Sequence, residues 1–416
     1  MTFRSIKGTK DILPGESEQW HFVEETIRNV LHLHNYRELR TPVIESTSLF
    51  ARSIGELTDI VSKEMYTFVD RGGDSVTLRP EGTASALRAY IQNNLGEQAP
   101  LTKLFYLGPM FRQERPQAGR LRQFHQFCVE AVCSESPLLD VECMVIVLQI
   151  LQRLGISEVE LVINSVGCER CRPQYKELLI DALRPLKDRM SPESRNRIDE
   201  NPLRVLDSKD KGDIELTANV PLIKDHLCEE CAEHFAAVQN GLKSLDVRFI
   251  INGRLVRGLD YYTKTAFEIT SNALGSQDAL AGGGRYDLLV KELGGKATPG
   301  VGFAAGLERL MMILSKTGKA SVMEPGPDVF LIGLDAASRS WAFQTAINLR
   351  SKGIAAETDY LERSLKAQMR EANRQSARFV VVVGEQELKS GSAHLKEMKT
   401  GAERSVALND LASALR

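Results

Sequence analysis

The chain has 416 residues, 43% of them hydrophobic and 26% charged, enough to bury a sizeable core. At roughly 100–200 residues per domain it holds about two to four domains, and disorder, collagen and small disulfide-stapled scaffolds are excluded. Basic and acidic side chains nearly balance, 53 against 55, which rules out a coat of basic surface but not local basic patches.

The opening residues carry charges with no apolar run behind them, so they do not read as a secretory signal. No stretch reaches the roughly 18 uninterrupted apolar residues of a membrane span, and a cytoplasmic protein is expected. Seven cysteines spread over so long a chain fit a reducing compartment.

Residues 18–34 place Trp20, Val23, Ile27, Val30 and Leu31 at helical spacing, and residues 36–44 then turn extended through Pro42. Residues 76–78, 104–111 and 124–132 are β-rich runs that predict neighbouring antiparallel strands, the last two joined by a charged loop. Residues 168–245 are mostly helical in pattern and read as an inserted subdomain. Thr265, Phe267 and Ile269 alternate as a strand, and residues 301–305 lead into Leu307, Leu310, Met311 and Leu314 at helical spacing. Residues 315–327, rich in Ser, Lys, Gly and Pro, read as a linker. Beyond them, extended and helical runs alternate as far as residue 383 and predict an α/β domain with a largely parallel sheet. From Asp328 onward 13 Lys and Arg face 11 Asp and Glu, a weak positive bias compatible with an RNA partner.

On a strand of period two, Gln126, Cys128 and Glu130 share one face. They form either the polar floor of a covered site or the ordinary outer face of a half-solvated strand. Before them, Phe111-Arg-Gln-Glu-Arg-Pro-Gln-Ala-Gly-Arg-Leu-Arg122 sets five charges in a turn-rich loop, suited to clamping phosphates or to pairing among themselves. Leu78-Arg-Pro-Glu-Gly-Thr83 presents Glu81 and Thr83 on a tight turn that could receive an ammonium group. Arg257-Gly-Leu-Asp-Tyr-Tyr262 offers phenols suited to an aromatic ring, or to plain packing. Gly282-Gly-Gly-Arg-Tyr-Asp287 allows close backbone approach to a ligand, yet fits neither G-x-G-x-x-G nor Walker A. Gly300-Val-Gly-Phe-Ala-Ala-Gly-Leu-Glu-Arg309 runs from strand into helix, and its helix N-terminus and Arg309 both favour an anion.

Together these segments resemble the three motifs of class II aminoacyl-tRNA synthetases, and most closely the histidyl-tRNA synthetase family. Lys7-Gly-Thr-Lys-Asp-Ile-Leu-Pro14 is similar to the family's N-terminal signature, and residues 36–45 to motif 1, whose helix and strand build a homodimer interface. Phe111-Arg-Gln-Glu114 with Gln126 and Glu130 resembles motif 2, and Gly306-Leu-Glu-Arg309 motif 3. The segments 257–262 and 282–287 resemble the pair peculiar to the histidyl branch. The resemblance implies an α+β fold: a six-stranded antiparallel catalytic sheet flanked by helices, with a helical insertion and a C-terminal α/β anticodon-binding domain. The implied boundaries are core at 1–167 and 246–314, insertion at 168–245, linker at 315–327 and anticodon domain at 328–416.

It also implies an ATP-dependent ligase that makes histidyl-adenylate and transfers histidine to the 3′ end of tRNA(His), with Mg²⁺ on the phosphates. By position, Arg112, Glu114 and Arg309 would hold ATP and Arg257 would stabilise the α-phosphate. Glu81, Thr83 and Gln126 would receive the α-amino group, Glu130 and Tyr262 the imidazole, with Tyr286 lining the pocket. Arg115 and Gln117 would face the tRNA acceptor end. The competing expectation is a non-catalytic histidine-sensing regulatory paralogue, which usually lacks the C-terminal domain.

Cys168-Glu-Arg-Cys171 and Cys228-Glu-Glu-Cys231 supply four thiols at CxxC spacing, enough for a closed tetrahedral Zn²⁺ site. Some bacterial members of the resembling family carry a further CxxC and another cysteine here, where this chain has Ser191-Pro-Glu-Ser194 and Asp207-Ser208-Lys209. Structural zinc and reduced, metal-free thiols both remain open. Cys128 is expected to be a packing residue.

Overall fold

The computed structural model describes residues 3–54, 58, 60–117, 119–274, 279–317 and 326–415. The chain divides into two compact units, Met1–Ser321 and Val322–Arg416. Among the described residues no helix is long and apolar enough to cross a membrane.

In the first unit the strands, in chain order, are β1 (Arg37–Glu38), β2 (Ile44–Ser46), β3 (Tyr66–Val69), β4 (Ser75–Leu78), β5 (Thr102–Phe111), β6 (Gln123–Val132), β7 (Glu160–Ser165), β8 (Ile250–Ile251), β9 (Thr263–Thr270), β10 (Ala279–Arg285) and β11 (Gly300–Gly306). The main sheet runs β1-β5-β6-β11-β10-β9-β7-β8. Its six central strands are antiparallel throughout, and the two-residue strands β1 and β8 lie parallel to its outer members. The expected six-stranded antiparallel sheet is therefore present, with a short parallel strand added at each edge.

One expectation fails. Strand β4 is not a neighbour of β5 and β6 but the centre of a separate sheet, β2-β4-β3. The link is Arg79, 4% exposed, whose Nε donates to Pro109 O at 2.9 Å and whose Nη1 donates to Thr41 Oγ1 at 2.9 Å. With Arg79 O also accepting Phe111 N at 3.0 Å, one residue, not a strand ladder, joins the small sheet to β5, and periodicity carries no trace of that.

Period two along β6 sends Phe127, Val129 and Ala131 into the main core, which they share with Met144, Val147 and Ile150 of the helix Pro137–Arg153. That helix starts where Ser136 Oγ accepts Leu138 N and Pro137 fills the first turn. The helix Ser17–Leu33 buries Trp20, Val23, Ile27, Val30 and Leu31, the stripe its sequence predicts. Each such aliphatic side chain contributes about 1.5–3 kcal/mol through burial.

Residues 168–245 form the helices Arg172–Leu183, Pro192–Glu200, Lys211–Leu216 and Glu229–Ser244, with a small core of their own around Tyr175, Leu179, Ile198 and Val205. The three serines noted above converge on Asp213. Its carboxylate accepts Ser191 N at 2.9 Å and the hydroxyls of Ser191, Ser194 and Ser208 at 2.7, 2.6 and 2.8 Å. Residues 315–317 of the expected linker are instead the end of the helix Leu307–Thr317, and residues 318–325 lie outside the described residues.

The second unit has β12 (Val329–Gly333), β13 (Ala356–Thr358), β14 (Phe379–Val383), β15 (Ser392–Glu397) and β16 (Glu403–Ala407) in the order β13-β12-β14-β15-β16. The first three are parallel, and the β15–β16 hairpin is antiparallel. The sheet is thus mixed, not largely parallel. The hairpin buries only Ala393 and Leu395 of alternate residues in β15, too faint an apolar signal to stand out.

Burial alone would raise the pKa of Asp213, but its serine donors outweigh that and hold it at about 2. Its contribution is therefore present above the unfolded carboxylate range near about pH 4 and is lost as pH falls through about 2. Asp213→Ala should cost at least about 1.5–3 kcal/mol at pH 7, the worth of one hydrogen bond to a charged group, with the deficit shrinking at pH 3. Chemical denaturation at both pH values checks this, and an unshifted midpoint at pH 7 would refute it.

Candidate active site

A cavity of about 240 Å³ opens on the face of the main sheet opposite the Phe127 core. Its lining includes Glu81, Thr83, Arg112, Glu114, Gln126, Arg257, Tyr262, Tyr286 and Arg309, side chains that the sequence scatters over more than 200 positions. Glu130 lies beneath them, 1% exposed. Arg115 and Gln117 are not in this cavity. They line an adjoining cleft with Lys63 and Pro116, sharing Glu114 and Arg120 with the cavity.

The floor is built around Glu130. Tyr106 donates its hydroxyl to one carboxylate oxygen at 2.8 Å, and Tyr286 donates to the other. Burial raises the pKa of Glu130 to about 8, against the pull of these donors. Tyr106 is a site residue that sequence reading missed. It stands opposite Cys128 in the β5–β6 register, a pairing no local pattern reveals. Cys128 itself is buried among Ala86, Tyr106 and Met110, the packing role expected of it.

Glycines make this floor feasible. A Cβ on Gly302 would strike the Glu130 carboxylate, and one on Gly282 would strike the Arg257 guanidinium. Gly282 of the glycine run thus leaves room for the Arg257 guanidinium and itself lines the cavity.

Glu81 closes the next wall. Its oxygens accept Thr83 N at 2.7 Å and Ala84 N at 2.9 Å, at the start of the helix Thr83–Gln92, while burial raises its pKa. The Gln126 carbonyl oxygen is buried with no hydrogen-bond partner in the structure. An unmatched acceptor beside two hydroxyl-rich walls is suited to a donor such as an ammonium group.

Four arginines line the same space, Arg120 among them, 3.5 Å from Glu114. Arg257 donates from Nη1 to Glu268 at 2.5 Å while its Nε is buried without a partner. Arg112 donates to Pro80 O at 2.9 Å and lies 5.2 Å over the Phe124 ring. Arg309, on the first turn of its helix, donates to the carbonyls of Gly119 and Ala279. Burial, then the neighbouring Arg120, lowers the pKa of Arg309. Such a cation-rich pocket draws in anions.

Away from this cavity the two CxxC pairs meet. All four sulfurs lie within 4.8 Å of one another, with Cys168–Cys171, Cys168–Cys228 and Cys171–Cys231 separations of 3.8, 3.7 and 3.9 Å. A tetrahedron with Zn–S bonds of about 2.3 Å has edges of about 3.8 Å, so the donor set fits zinc in both chemistry and size. Burial resists ionisation of Cys168, but backbone N–H groups at Cys171 and Arg170 outweigh it and hold the thiol at about 6.

An antiparallel sheet carrying arginines around a polar cavity, with a separate α/β unit after it, is the arrangement that the resemblance to class II aminoacyl-tRNA synthetases implies. The family model for histidyl-tRNA synthetase matches residues 8–310, and that for an anticodon binding domain matches residues 328–416. A histidine–tRNA ligase of Pelotomaculum thermopropionicum is 50% identical over 99% of this chain and 96% of its own length. One from Halothermothrix orenii is 48% identical over 99% and 98%. Crystalline apo histidyl-tRNA synthetase of S. aureus superposes with a TM-score of 0.85 at 36% identity, covering all of both chains. The chain belongs to the histidyl-tRNA synthetase family.

Because Glu130 titrates near 8 when folded and near about 4.3 when unfolded, the stability it lends is full below about pH 4.3 and lost as pH rises through about 8. Glu130→Gln removes this dependence. Thermal melts should show wild type losing stability relative to the variant between pH 6 and pH 9, and parallel curves would contradict the buried, proton-holding carboxyl.

Proposed function

We propose that this protein joins L-histidine to tRNA(His) in two steps. The histidine carboxylate attacks the α-phosphorus of ATP, releasing pyrophosphate and leaving histidyl-adenylate. A hydroxyl of the tRNA's terminal ribose then attacks the histidyl carbonyl, releasing AMP. The observation that carries this reading is one cavity walled by four arginines, with the Tyr-gripped Glu130 carboxyl buried beneath it.

Within it, Glu130 and Tyr262 bond the two imidazole nitrogens and Tyr286 fixes Glu130. A site built to pair both nitrogens rejects an analogue lacking them by up to about 10⁴–10⁵, because its buried groups go unmatched. Glu81, Thr83 and the unpartnered Gln126 oxygen receive the α-ammonium. Arg112 and Arg309 hold the outer phosphates, with Glu114 closing that wall. Arg257 neutralises charge growing on the α-phosphate, where the reaction needs electrostatic help more than a nucleophile. Mg²⁺ would bind with the phosphates, needing only one or two protein carboxylates, and Glu114 in the cavity lining would be available to it. Arg115 and Gln117, in the adjoining cleft, meet the acceptor end. The four cysteines hold a structural Zn²⁺.

On this reading the catalytic core comprises 1–167 and 246–314, with the insertion at 168–245 and the anticodon-binding domain at 328–416. Exposed Leu33, Ile44, Phe68 and Val69 in and near the motif 1 segment favour a homodimer, and the protein works in the cytoplasm. In the second unit, Phe343 and Tyr360 are exposed rings 6.5 Å apart, followed by the helix Leu365–Arg374 with Lys366 and Arg370. Exposed aromatic faces in a unit that also carries exposed cations suit unstacked anticodon bases. A histidine-sensing regulatory paralogue would have little use for that unit or for three phosphate-binding arginines.

Exchange of pyrophosphate into ATP, run with each of the twenty amino acids, should respond to histidine alone, and no response to histidine overturns the reading. Arg257→Ala should lower that rate roughly 10²–10³-fold. Tyr360→Ala should leave it unchanged yet cut kcat/KM for tRNA charging by roughly 5- to 150-fold, the range expected for one lost base stack.

A further inference from the structure

The cysteine cluster is wired to the histidine pocket by hydrogen bonds and ion pairs on both of its sides. On the first side, the chain leaving β7 continues its ladder past the strand: Val166 N donates to Lys264 O and Lys264 N to Gly167 O, both at 2.8 Å. Lys264 holds a left-handed backbone, φ 48°, which a lysine adopts only where its surroundings enforce it. Those surroundings come from the two CxxC turns. Arg172, next after Cys171, donates to Val166 O at 3.2 Å and to the carbonyl of Tyr262. Glu230, between Cys228 and Cys231, pairs with the Lys264 ammonium at 2.8 Å.

On the second side, Cys231 lies one turn before His234 on the helix Glu229–Ser244. His234 Nε2 is 3.2 Å from Asp140, and Asp140 binds Arg285, which is wholly buried and immediately precedes Tyr286. Both tyrosines of the imidazole pocket are therefore fixed by neighbours that the four sulfurs hold together.

We infer that a divalent metal ion bound by Cys168, Cys171, Cys228 and Cys231 acts as a clamp that sets Tyr262 and Tyr286, so that metal loading governs histidine affinity and leaves ATP affinity alone. Arg172 and Glu230 are positioning residues in this scheme. It rests on the ligase reading above, since it takes histidine as the ligand of those tyrosines. ATP binding is spared because Arg112 and Arg309, which hold the outer phosphates, make no hydrogen bond or ion pair to the cysteine turns among the described residues, whereas Arg257, on the segment leading into Tyr262, acts only as charge develops on the α-phosphate.

The full-length protein, purified in reducing buffer without added zinc, should carry about one zinc per chain by elemental mass spectrometry. After chelation the KM for histidine should rise about 10- to 100-fold, while the KM for ATP stays within about twofold. Arg172→Ala keeps all four cysteines, so it should retain metal and show the same split, with Arg172→Lys recovering part of it. That variant decides the matter if the stripped protein unfolds. Less than about a tenth of an equivalent of metal, or an unchanged histidine KM in Arg172→Ala, overturns the clamp. Metal-loaded protein with no histidine-dependent exchange would overturn the ligase reading instead.

Discussion

A carboxyl group buried in the middle of a sheet survives only where the sheet supplies donors to it, and Glu130 makes that demand of four strands at once. Tyr106 must come from β5, Tyr286 from the end of β10, and a side-chain-free residue, Gly302, from β11. Slipping any of these strands by one residue would turn its contribution to the other face. The register of the central sheet and the polarity of its floor are thus one constraint. The apolar face of β6 answers it from below by locking the same register into the core.

The walls are held with the same economy. Each arginine is aimed by a bond to a fixed acceptor: Arg257 by Glu268, Arg112 by Pro80 O, and Arg309 by Gly119 O. Those bonds leave donors to spare on every guanidinium, which has five N–H groups. Pre-aimed donors need little reorganisation when charge develops, and this is what lets them favour a transition state over a ground state.

Much of this was legible in the sequence, because motif residues sit on short runs whose period is plain. The alternation of Gln126, Cys128 and Glu130 gave a face, and the structure buries it at Cys128 and Glu130 while Gln126 lies at the cavity, half-buried. Arg309 followed from a strand-to-helix switch. What was not legible depends on register or on single side chains: Tyr106 opposite β6, Arg79 joining two sheets, Glu268 behind Arg257. None of these leaves a periodic mark, since each is one residue meeting another far along the chain. The glycine run was read for its freedom, and the Arg257 guanidinium packed against Gly282 was not foreseen.

The inserted helices meet the problem of a polar hub twice, and the two solutions differ in kind. Around Asp213, three hydroxyls and a backbone N–H supply four donors to one carboxylate, so charge and hydrogen bonds balance within the protein. Around Cys168 there is no such balance. Sulfur is a weak donor and a weak acceptor, so the N–H groups of Arg170 and Cys168, aimed at the sulfurs of Cys168 and Cys171 at 3.4 and 3.2 Å, do little to satisfy four clustered sulfurs. Arg170 is committed to Glu230. The serine hub is complete as it stands, whereas the cysteine hub is arranged for a positive charge at its centre.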